Sequence, residues 1–256
     1  MNIVVLLSAG RHSGSGAARP VLVELQAIAL GLALAGDRAG LVSGLHAGTA
    51  DPAVADALGY GLGAITVLRI RAEDDPLPAL VAEIAARAPD LVLAGRRGHG
   101  NSDSGLLPYR LAHACGWPIA ADAVAMARDS DRLAVTQFLP RGARRRLELT
   151  IPAVVTVHDA APEARHFVYR ARLAGLINEK PGVGGAPAAK MAIEIRPYRA
   201  RPRLIGDGGA GGSAEERLLA ATETRSVGGR LMVNPDPDTA AAAILEYVAS
   251  FRPVSR

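Results

Sequence analysis

The sequence predicts an α/β protein built on a doubly wound, mostly parallel sheet of Rossmann-like form, with an antiparallel extension and an extended C-terminal arm. Two observations support this fold class. Short apolar runs alternate with helical segments through the first 115 residues, which is the pattern of successive β-α-β units. Beyond them, several short strand-like runs are joined by tight turns, which is the pattern of antiparallel strands.

The predicted elements of the first half follow from hydrophobic spacing and from capping residues. Apolar positions recur at helical spacing after residue 20, and Gly36 ends that helix. Asp51 and Pro52 begin the next helix as its N-cap and first helical residue. The predicted strands cover residues 3–8, 40–45, 64–70 and 91–94, and the predicted helices cover residues 20–35, 51–59, 76–88 and 106–114.

The second half is predicted to extend the sheet and then to leave it. Residues 179–212 are rich in Pro, Gly and Arg without a sustained period, which predicts an extended arm, and a helix follows at residues 238–251. We therefore expect an α/β domain over residues 1–178 and an arm with a helix over residues 179–256. The antiparallel extension is assigned to strands at residues 118–124, 132–138, 146–151 and 153–157.

Composition and charge exclude several classes of protein. The chain carries 29 Lys and Arg against 25 Asp and Glu, a net of +4, yet residues 141–203 hold thirteen basic and five acidic residues, so the remainder is +4 − 8 = −4. An acidic main domain argues against a nucleic-acid partner. The N-terminus lacks a signal-peptide pattern and no apolar run reaches membrane-spanning length, so we expect a cytoplasmic protein without membrane insertion.

A glycine-rich loop between the fourth predicted strand and the fourth predicted helix is the first candidate binding site. This order of elements aims unpaired N–H groups at an anion, which predicts a nucleotide phosphate cradle. The loops after Ser8 and Leu45 would face the same crevice, at the carboxyl ends of the strands. The alternative is a tight connection without a ligand. The candidate residues of the loop are Gly95, Arg96, Ser102, Asp103, Ser104 and Gly105.

No catalytic or metal-binding constellation is recognised in the sequence. The six histidines lack metal-ligand spacing, and there is neither a G-x-S-x-G nucleophile motif nor a Walker A lysine. Cys115 is the one cysteine, so no internal disulfide can form, and it is predicted to pack in the core. We therefore expect that this chain alone catalyses no reaction, with no catalytic residues and no metal site.

Two basic segments are candidate partner-binding surfaces. Arg144, Arg145 and Arg146 lie at a predicted hairpin tip, which either is simply solvated or docks to an acidic partner. Residues 165–176 mix cations with large apolar side chains, as protein interfaces do, although packing onto the main domain is the alternative. The candidate residues of this second segment are Arg165, Tyr169, Leu173 and Leu176.

Several short sequence motifs occur in the same order as in one known family. A strand ending in Gly95 and its loop are followed by G-W-P at residues 116–118, residues 147–156 end in P-A-V-V-T, and residues 57–61 read A-L-G-Y-G. The β subunit of electron-transfer flavoprotein has a strand ending in Gly, a loop ending N-Q-T-G, a G-W-P, a strand pair ending P-A-V-V-T and an A-L-A-M-G. With a helix around residues 244–247, the chain resembles that subunit over nearly its whole length.

The resemblance implies a subunit of an αβ heterodimer that carries electrons from a flavin dehydrogenase towards the respiratory chain. In that family the α subunit holds most of the FAD, and the β subunit binds AMP or, in the bifurcating type, a second FAD. The nucleotide contacts would map to Leu6, to Leu45 and to the loop from Gly95, with residues 102–105 in place of N-Q-T-G. The donor-docking loop would map to residues 166–177, and the C-terminal arm would pack on the partner subunit.

The departures from the family pattern imply a divergent branch. Residues 9–19 replace a long insertion, the motif N-P-F-D/C is absent at residues 21–24, and the phosphate loop lacks the family's D-D-D. Arginines at residues 141–145 replace the acids of D-G-G-x-E, and the usual docking leucine falls near Tyr169. The chain resembles subunits that serve methylated-amine or dimethylglycine dehydrogenases, so we expect a dedicated donor of that type.

Two alternatives belong to other classes. Residues 95–100 read G-R-R-G-H-G, similar to the start of the motif in universal-stress-type ATP-binding proteins. The glycine and hydroxyl residue that this motif requires nine residues later are replaced by Pro108 and Tyr109. The other alternative is a scaffold subunit that has lost its nucleotide.

Overall fold

The computed structural model describes residues 1–98, 104–129, 132–186, 213–215, 232–233 and 235–250. The chain divides into two compact units, Met1–Ala192 and Ile193–Arg256. The described part of the first unit forms a nine-stranded sheet covered by helices, and the described part of the second contains a helix near the C-terminus.

The described strands of the first unit lie in one sheet. In chain order they are β1 (Ile3–Leu6), β2 (Val42–Gly48), β3 (Ala64–Arg69), β4 (Leu91–Gly95), β5 (Ile119–Asp129), β6 (Arg132–Phe138), β7 (Arg144–Thr150), β8 (Ala153–Val157) and β9 (Leu176–Pro181). In space the order is β7-β6-β5-β8-β4-β1-β2-β3-β9. Of the eight described strand pairs six are parallel and two antiparallel, so the predicted mostly parallel α/β fold is confirmed.

The helices begin and end close to where capping residues predict. The Asp51 carboxylate accepts a hydrogen bond of 2.8 Å from the N–H of Ala53, and Gly36 ends the first helix with a φ of 56°. Three short 3₁₀ turns lie at Gly36–Leu41, Ala57–Tyr60 and Pro140–Gly142. The described helices are α1 (Leu22–Ala35), α2 (Pro52–Asp56), α3 (Leu77–Arg87), α4 (Leu107–Cys115), α5 (Tyr169–Ala174) and α6 (Pro237–Ser250).

Each face of the sheet carries its own apolar cluster, because successive strand residues point to opposite sides. Ile3 and Val5 of β1 belong to the cluster that includes α1, whereas Val4 and Leu6 belong to the cluster that includes α3 and α4. All four side chains are buried. A strand covered on both faces reads as a continuous apolar run, which is why β1 and β4 are recognisable in the sequence.

The strand β8 was expected in the antiparallel extension, and this prediction is wrong. β8 lies between β4 and β5 and pairs with both in parallel, with Leu93 opposite Val155 and Gly95 opposite Val157. All five of its residues are buried, as in a central strand. The antiparallel part therefore consists of β5, β6 and β7, and β8 brings the P-A-V-V-T stretch beside the glycine-rich loop.

The strand β9 was not predicted as a strand. It pairs in parallel with β3 at the opposite edge of the sheet, from Leu176 opposite Ala64 to Pro181 opposite Arg69. All six residues are exposed, so the strand lacks the buried apolar pattern that marks the other strands of this edge. It crosses the expected boundary at residue 178, and the division into a domain and an arm stays a prediction.

In the second unit, α6 follows Asp236, whose carboxylate accepts hydrogen bonds from the N–H groups of Asp238 and Thr239 at 3.1 and 3.0 Å. This is N-capping of the ordinary kind. The helix exposes Ile244 and Leu245. Across the described part of the chain, no helix combines the length and the apolar character needed to cross a bilayer.

Candidate functional site

The carboxyl ends of β1, β2 and β4 lie side by side, because the three strands are adjacent and parallel. Leu6 lies opposite Leu45 in the ladder, and both side chains are buried in the core on the α3 and α4 side. The Leu45 carbonyl accepts a hydrogen bond of 2.9 Å from the N–H of Leu7. The side chains of these two predicted nucleotide contacts therefore point into the protein, which leaves only their main chain for any contact with a ligand.

Gly95 ends β4 at a point where no side chain fits. A β-carbon added there would lie 2.7 Å from Val23 Cγ1, 3.0 Å from the Arg97 carbonyl oxygen and 3.3 Å from Glu24 Cγ. The first turn of α1 thus presses directly on the main chain of the loop. This close approach is the physical reason for glycine at this position.

The far end of the loop is closed by Gly105 and Ser104. Gly105 has a φ of 69°, and a β-carbon there would lie 2.8 Å from the Arg96 carbonyl oxygen. The Ser104 hydroxyl accepts a hydrogen bond of 3.3 Å from the N–H of Leu106 and so turns the chain towards α4. The other two predicted loop ligands, Ser102 and Asp103, lie outside the described residues.

Arg96 faces two carboxylates. Its Nε lies 3.5 Å from Asp122 Oδ1, and its Nη1 lies 3.8 Å from Asp159 Oδ2. Asp122 has a φ of 53° at a bulge in β5, and its N–H donates to the Thr156 hydroxyl at 3.0 Å. The guanidinium of this predicted cofactor-binding residue therefore has two acidic neighbours, one from β5 and one from the segment after β8.

Ser8 is held by Glu24 of α1. The Ser8 N–H donates to Glu24 Oε2 at 2.9 Å, and the Ser8 hydroxyl donates to Glu24 Oε1. Glu24 is only 4% exposed, and burial away from water raises the pKa of its carboxyl to about 8, since the hydrogen bonds from Ser8 offset only part of the desolvation. Sequence reasoning missed Glu24, although an acid at an apolar-facing position of a helix is a signal that could have found it.

Two further contacts tie the loop after β1 to the loop after β2. The buried His46 places Nδ1 2.9 Å from the Leu7 carbonyl oxygen and Nε2 3.2 Å from the Thr49 carbonyl oxygen. Arg11 donates to both oxygens of Asp51, and this hydrogen bonding holds the pKa of the Asp51 carboxyl below its ordinary value. The short segment at residues 9–19 is thus anchored to the N-terminus of α2.

The segment after β8 is anchored to α1 by a buried glutamine. Gln26 Nε2 donates to the carbonyl oxygens of Asp159 and Ala161 at 3.1 and 2.8 Å. Next to it lies a groove of about 650 Å³ between α1 and residues 159–167. The groove is lined by side chains of mixed character that include Arg19, Leu22, Tyr60, Glu163, Arg165 and Phe167.

The basic hairpin exposes all three of its predicted partner-binding arginines. The Arg144 guanidinium lies over the Phe138 ring at 4.6 Å, and His158 stacks on the same ring at a centroid distance of 4.3 Å. Arg145 donates to Gln137 Oε1 at 3.0 and 2.7 Å. Arg144 and Arg145 therefore stiffen their own hairpin, and Arg146 is exposed on β7.

The second predicted partner surface forms a short helix followed by the edge strand. Tyr169 and Leu173 on α5 are each 66% exposed, and Leu176 at the start of β9 is 64% exposed. The segment is nevertheless anchored by an ion pair, because Arg172 Nε lies 3.1 Å from Asp56 Oδ1. Arg165, the fourth candidate residue, lines the groove described above. Large apolar side chains displayed on a fixed support are typical of a protein-binding surface.

Cys115 is half-buried against the apolar cluster on the α3 and α4 side, and burial raises the pKa of its thiol. A thiol with a raised pKa is a poor nucleophile, which agrees with the predicted packing role. Within the described ranges, no group of three or more His, Cys, Asp or Glu side chains could hold a metal ion.

Comparison with known proteins identifies the family of the chain. Residues 11–193 match the family model of the electron transfer flavoprotein domain. The electron transfer flavoprotein subunit beta of Chromohalobacter salexigens is 32% identical over 250 residues, which cover 96% of this chain and 92% of the relative. The match favours this family over the universal-stress-type alternative, and the resemblance read from the sequence motifs is confirmed. The chain therefore belongs to the electron transfer flavoprotein family and, within it, is related to the β subunits.

Proposed function

We propose that the chain is one half of a cytoplasmic αβ heterodimer that accepts electrons from a flavin dehydrogenase and passes them towards the respiratory chain. The observation that carries this proposal is the relationship to a β subunit over 96% of the chain. The FAD, held mainly by the α subunit, supplies the redox chemistry. This chain contributes binding surfaces and electrostatics, without catalytic residues of its own.

The crevice at the carboxyl ends of β1 and β4 is proposed to hold an adenine nucleotide, either AMP or part of a second FAD. The strand, glycine-rich loop and helix support this assignment, as does the close main-chain packing at Gly95 and Gly105. Since Asp122 and Asp159 already face Arg96, we propose that the main-chain N–H groups of the loop contribute most to the recognition of phosphate. Ser102 and Asp103 would complete the loop.

The surface of α5 and the start of β9 is proposed to receive the electron donor. Tyr169, Leu173 and Leu176 are large and exposed, and Arg165 adds a cation at the groove that precedes α5. The exposed arginines of the β6–β7 hairpin are a second surface that fits an acidic partner. We propose donors of the methylated-amine or dimethylglycine dehydrogenase type.

The proposal is tested by purifying the chain with a co-expressed α subunit and identifying the released ligands by mass spectrometry. A yellow complex that contains FAD, with AMP or additional FAD, is the expected result, and the chain purified alone should oxidise no substrate. Ser104→Glu places a carboxylate beside the expected phosphate and should deplete the second nucleotide, whereas Ser104→Ala should retain it. Equal nucleotide content in both variants would remove the crevice from the proposal, and a parent complex that releases no second nucleotide would favour the nucleotide-free scaffold.

A further inference from the structure

Phe167 packs against the 3₁₀ turn Ala57–Tyr60 at a position that only glycine allows. A β-carbon added at Gly59 would overlap with Cε2 and Cδ2 of the Phe167 ring and would lie 3.0 Å from its Cζ. The Gly59 carbonyl oxygen accepts a hydrogen bond of 2.8 Å from the N–H of Val168, the residue before α5. The ring and the main chain that lead into α5 therefore both rest on the same residue.

Glycine at this position is not required by the backbone. Gly59 does not have a φ in the left-handed region, unlike Gly61, whose φ is 110°. In a helical turn alanine is ordinarily the more favourable residue, because glycine loses more conformational entropy. The space occupied by the Phe167 ring is thus the physical reason for the glycine.

Three further contacts hold the same segment to the same turn. The Phe167 and Tyr60 rings meet edge to face at a centroid distance of 5.5 Å. A β-carbon added at Gly175, directly after α5, would lie 2.7 Å from Leu58 Cδ2. The ion pair between Asp56 and Arg172 joins the middle of α5 to the end of α2.

We propose that Gly59 and Phe167 are a pair of positioning residues that set the orientation in which α5 presents Tyr169 and Leu173 to the dehydrogenase. The proposal rests on the docking role assigned to α5 under the proposed function. The ring is 44% exposed, so its contribution lies less in burying area than in fixing the entry of the chain into α5. A shift of this entry would move both exposed side chains together.

The test is a double-mutant cycle of Gly59→Ala, Phe167→Ala and the double variant, each studied in the complex with the α subunit. Gly63→Ala is the control, because nothing lies within 4 Å of the β-carbon position of Gly63. One readout is the rate of tryptic cleavage after Arg170 and Arg172, followed by peptide mass spectrometry, which reports opening of α5. The other is steady-state electron transfer from dimethylglycine dehydrogenase and trimethylamine dehydrogenase, with the complex as the varied acceptor.

Gly59→Ala should accelerate tryptic cleavage and raise KM for the complex about tenfold while kcat and FAD content stay unchanged, as expected for a side chain forced into occupied space. In the Phe167→Ala background the same substitution should change neither readout, because the obstructing ring is gone. Equal effects of Gly59→Ala in both backgrounds, or none in either, would overturn the pairing.

The two readouts separate this inference from the proposed function. A cleavage cycle that behaves as expected with a KM that does not move would overturn the docking role of the pair. If the unaltered complex accepts electrons from neither dehydrogenase, the assignment of the donor fails, and the cleavage cycle still decides whether Gly59 and Phe167 position α5.

Discussion

The crevice at the ends of β1 and β4 and the surface of α5 use glycine for opposite purposes. At Gly95 the missing side chain lets the first turn of α1 pack against the main chain at the start of an exposed loop, whose Arg96 lies near two carboxylates. At Gly59 the missing side chain lets Phe167 anchor a segment that exposes Tyr169 and Leu173. Under the proposed function, the first region would let the main chain approach a ligand, and the second would let side chains meet another protein.

The comparison implies that a side chain added at the close contacts of the crevice lowers stability, whereas substitutions of the exposed side chains on α5 affect association alone. Gly95→Val provides the strongest test, because the valine side chain would collide with Val23 and with the Arg97 carbonyl oxygen. The free energy of unfolding should fall by about 3 kcal/mol, at the upper end of the range for overpacking, and bound nucleotide should be lost. Urea denaturation measures the change.

Gly63→Val is the matched control for this substitution, since Gly63 is exposed and its β-carbon position is open. Its effect on the free energy of unfolding should be small. Similar losses in both variants would mean that the crevice tolerates a side chain at Gly95 as well as an open surface does, and the distinction between the two regions would be lost.

Glu24 should make the free energy of unfolding depend on pH. Its carboxyl has an ordinary pKa of 4.5 and a folded value of about 8, so between these values the folded chain binds more protons than the unfolded chain. The free energy of unfolding therefore falls as the pH rises through this window, at ~1.4 kcal/mol per pH unit. Relative to the parent, Glu24→Gln should gain about 2 kcal/mol of stability between pH 6 and pH 7.5, as measured by urea denaturation.

The exposed Glu163→Gln is the control for this pH series and should leave the slope unchanged. A Glu24→Gln variant that follows the pH profile of the parent would show that the carboxyl is not protonated in the folded state. The stabilisation of Ser8 by Glu24 would then have to be attributed to a carboxylate.

Tyr169→Ser tests the other side of the comparison. The side chain is 66% exposed, so its loss should change the free energy of unfolding by no more than about 0.5 kcal/mol. The affinity of the variant for the electron donor should nevertheless weaken about tenfold, as expected for the loss of an exposed aromatic anchor. Binding is measured by surface plasmon resonance with immobilised dehydrogenase, and Tyr109→Ser on α4 serves as the control. A loss of stability without a loss of affinity would make Tyr169 a packing residue.

Arg146→Glu should have the smallest effect. The residue is exposed on β7, and its replacement should slow association with an acidic partner several-fold at low ionic strength and hardly at all at 0.5 M salt, where charges are screened beyond about 4 Å. Stopped-flow kinetics over a salt series would measure this. An association rate that depends neither on the substitution nor on the salt concentration would favour the alternative, in which the hairpin is a solvated surface without a partner.

The sequence predicted best where one pattern had one structural meaning. Fully buried strands such as β1 and β4 read as apolar runs, and the Asp51 cap was recognisable because its chemistry is local. β8 reads as the same kind of run, but its partners lie far away in the chain and its direction in the sheet was misassigned. β9 has no apolar pattern and owes its strand conformation to β3.

The structure places Gly95, Arg96, Ser104 and Gly105 at the two ends of one loop, and their role in binding a nucleotide stays a prediction. The proximity of Arg96 to Asp122 and Asp159 was not predicted, because the three residues come from separate elements that only the sheet brings together. The raised pKa of Glu24 likewise depends on burial, which no single position in the sequence specifies.

By itself the sequence determined the α/β class, the position of the glycine-rich loop and the family resemblance, because hydrophobic periodicity, capping chemistry and short motifs are local properties of the chain. The tertiary structure decided the place of β8 at the centre of the sheet, the charge balance around Arg96 and the seating of Phe167 on Gly59. These features depend on contacts between residues far apart in the chain, whose strength is set by burial and distance and not by sequence spacing.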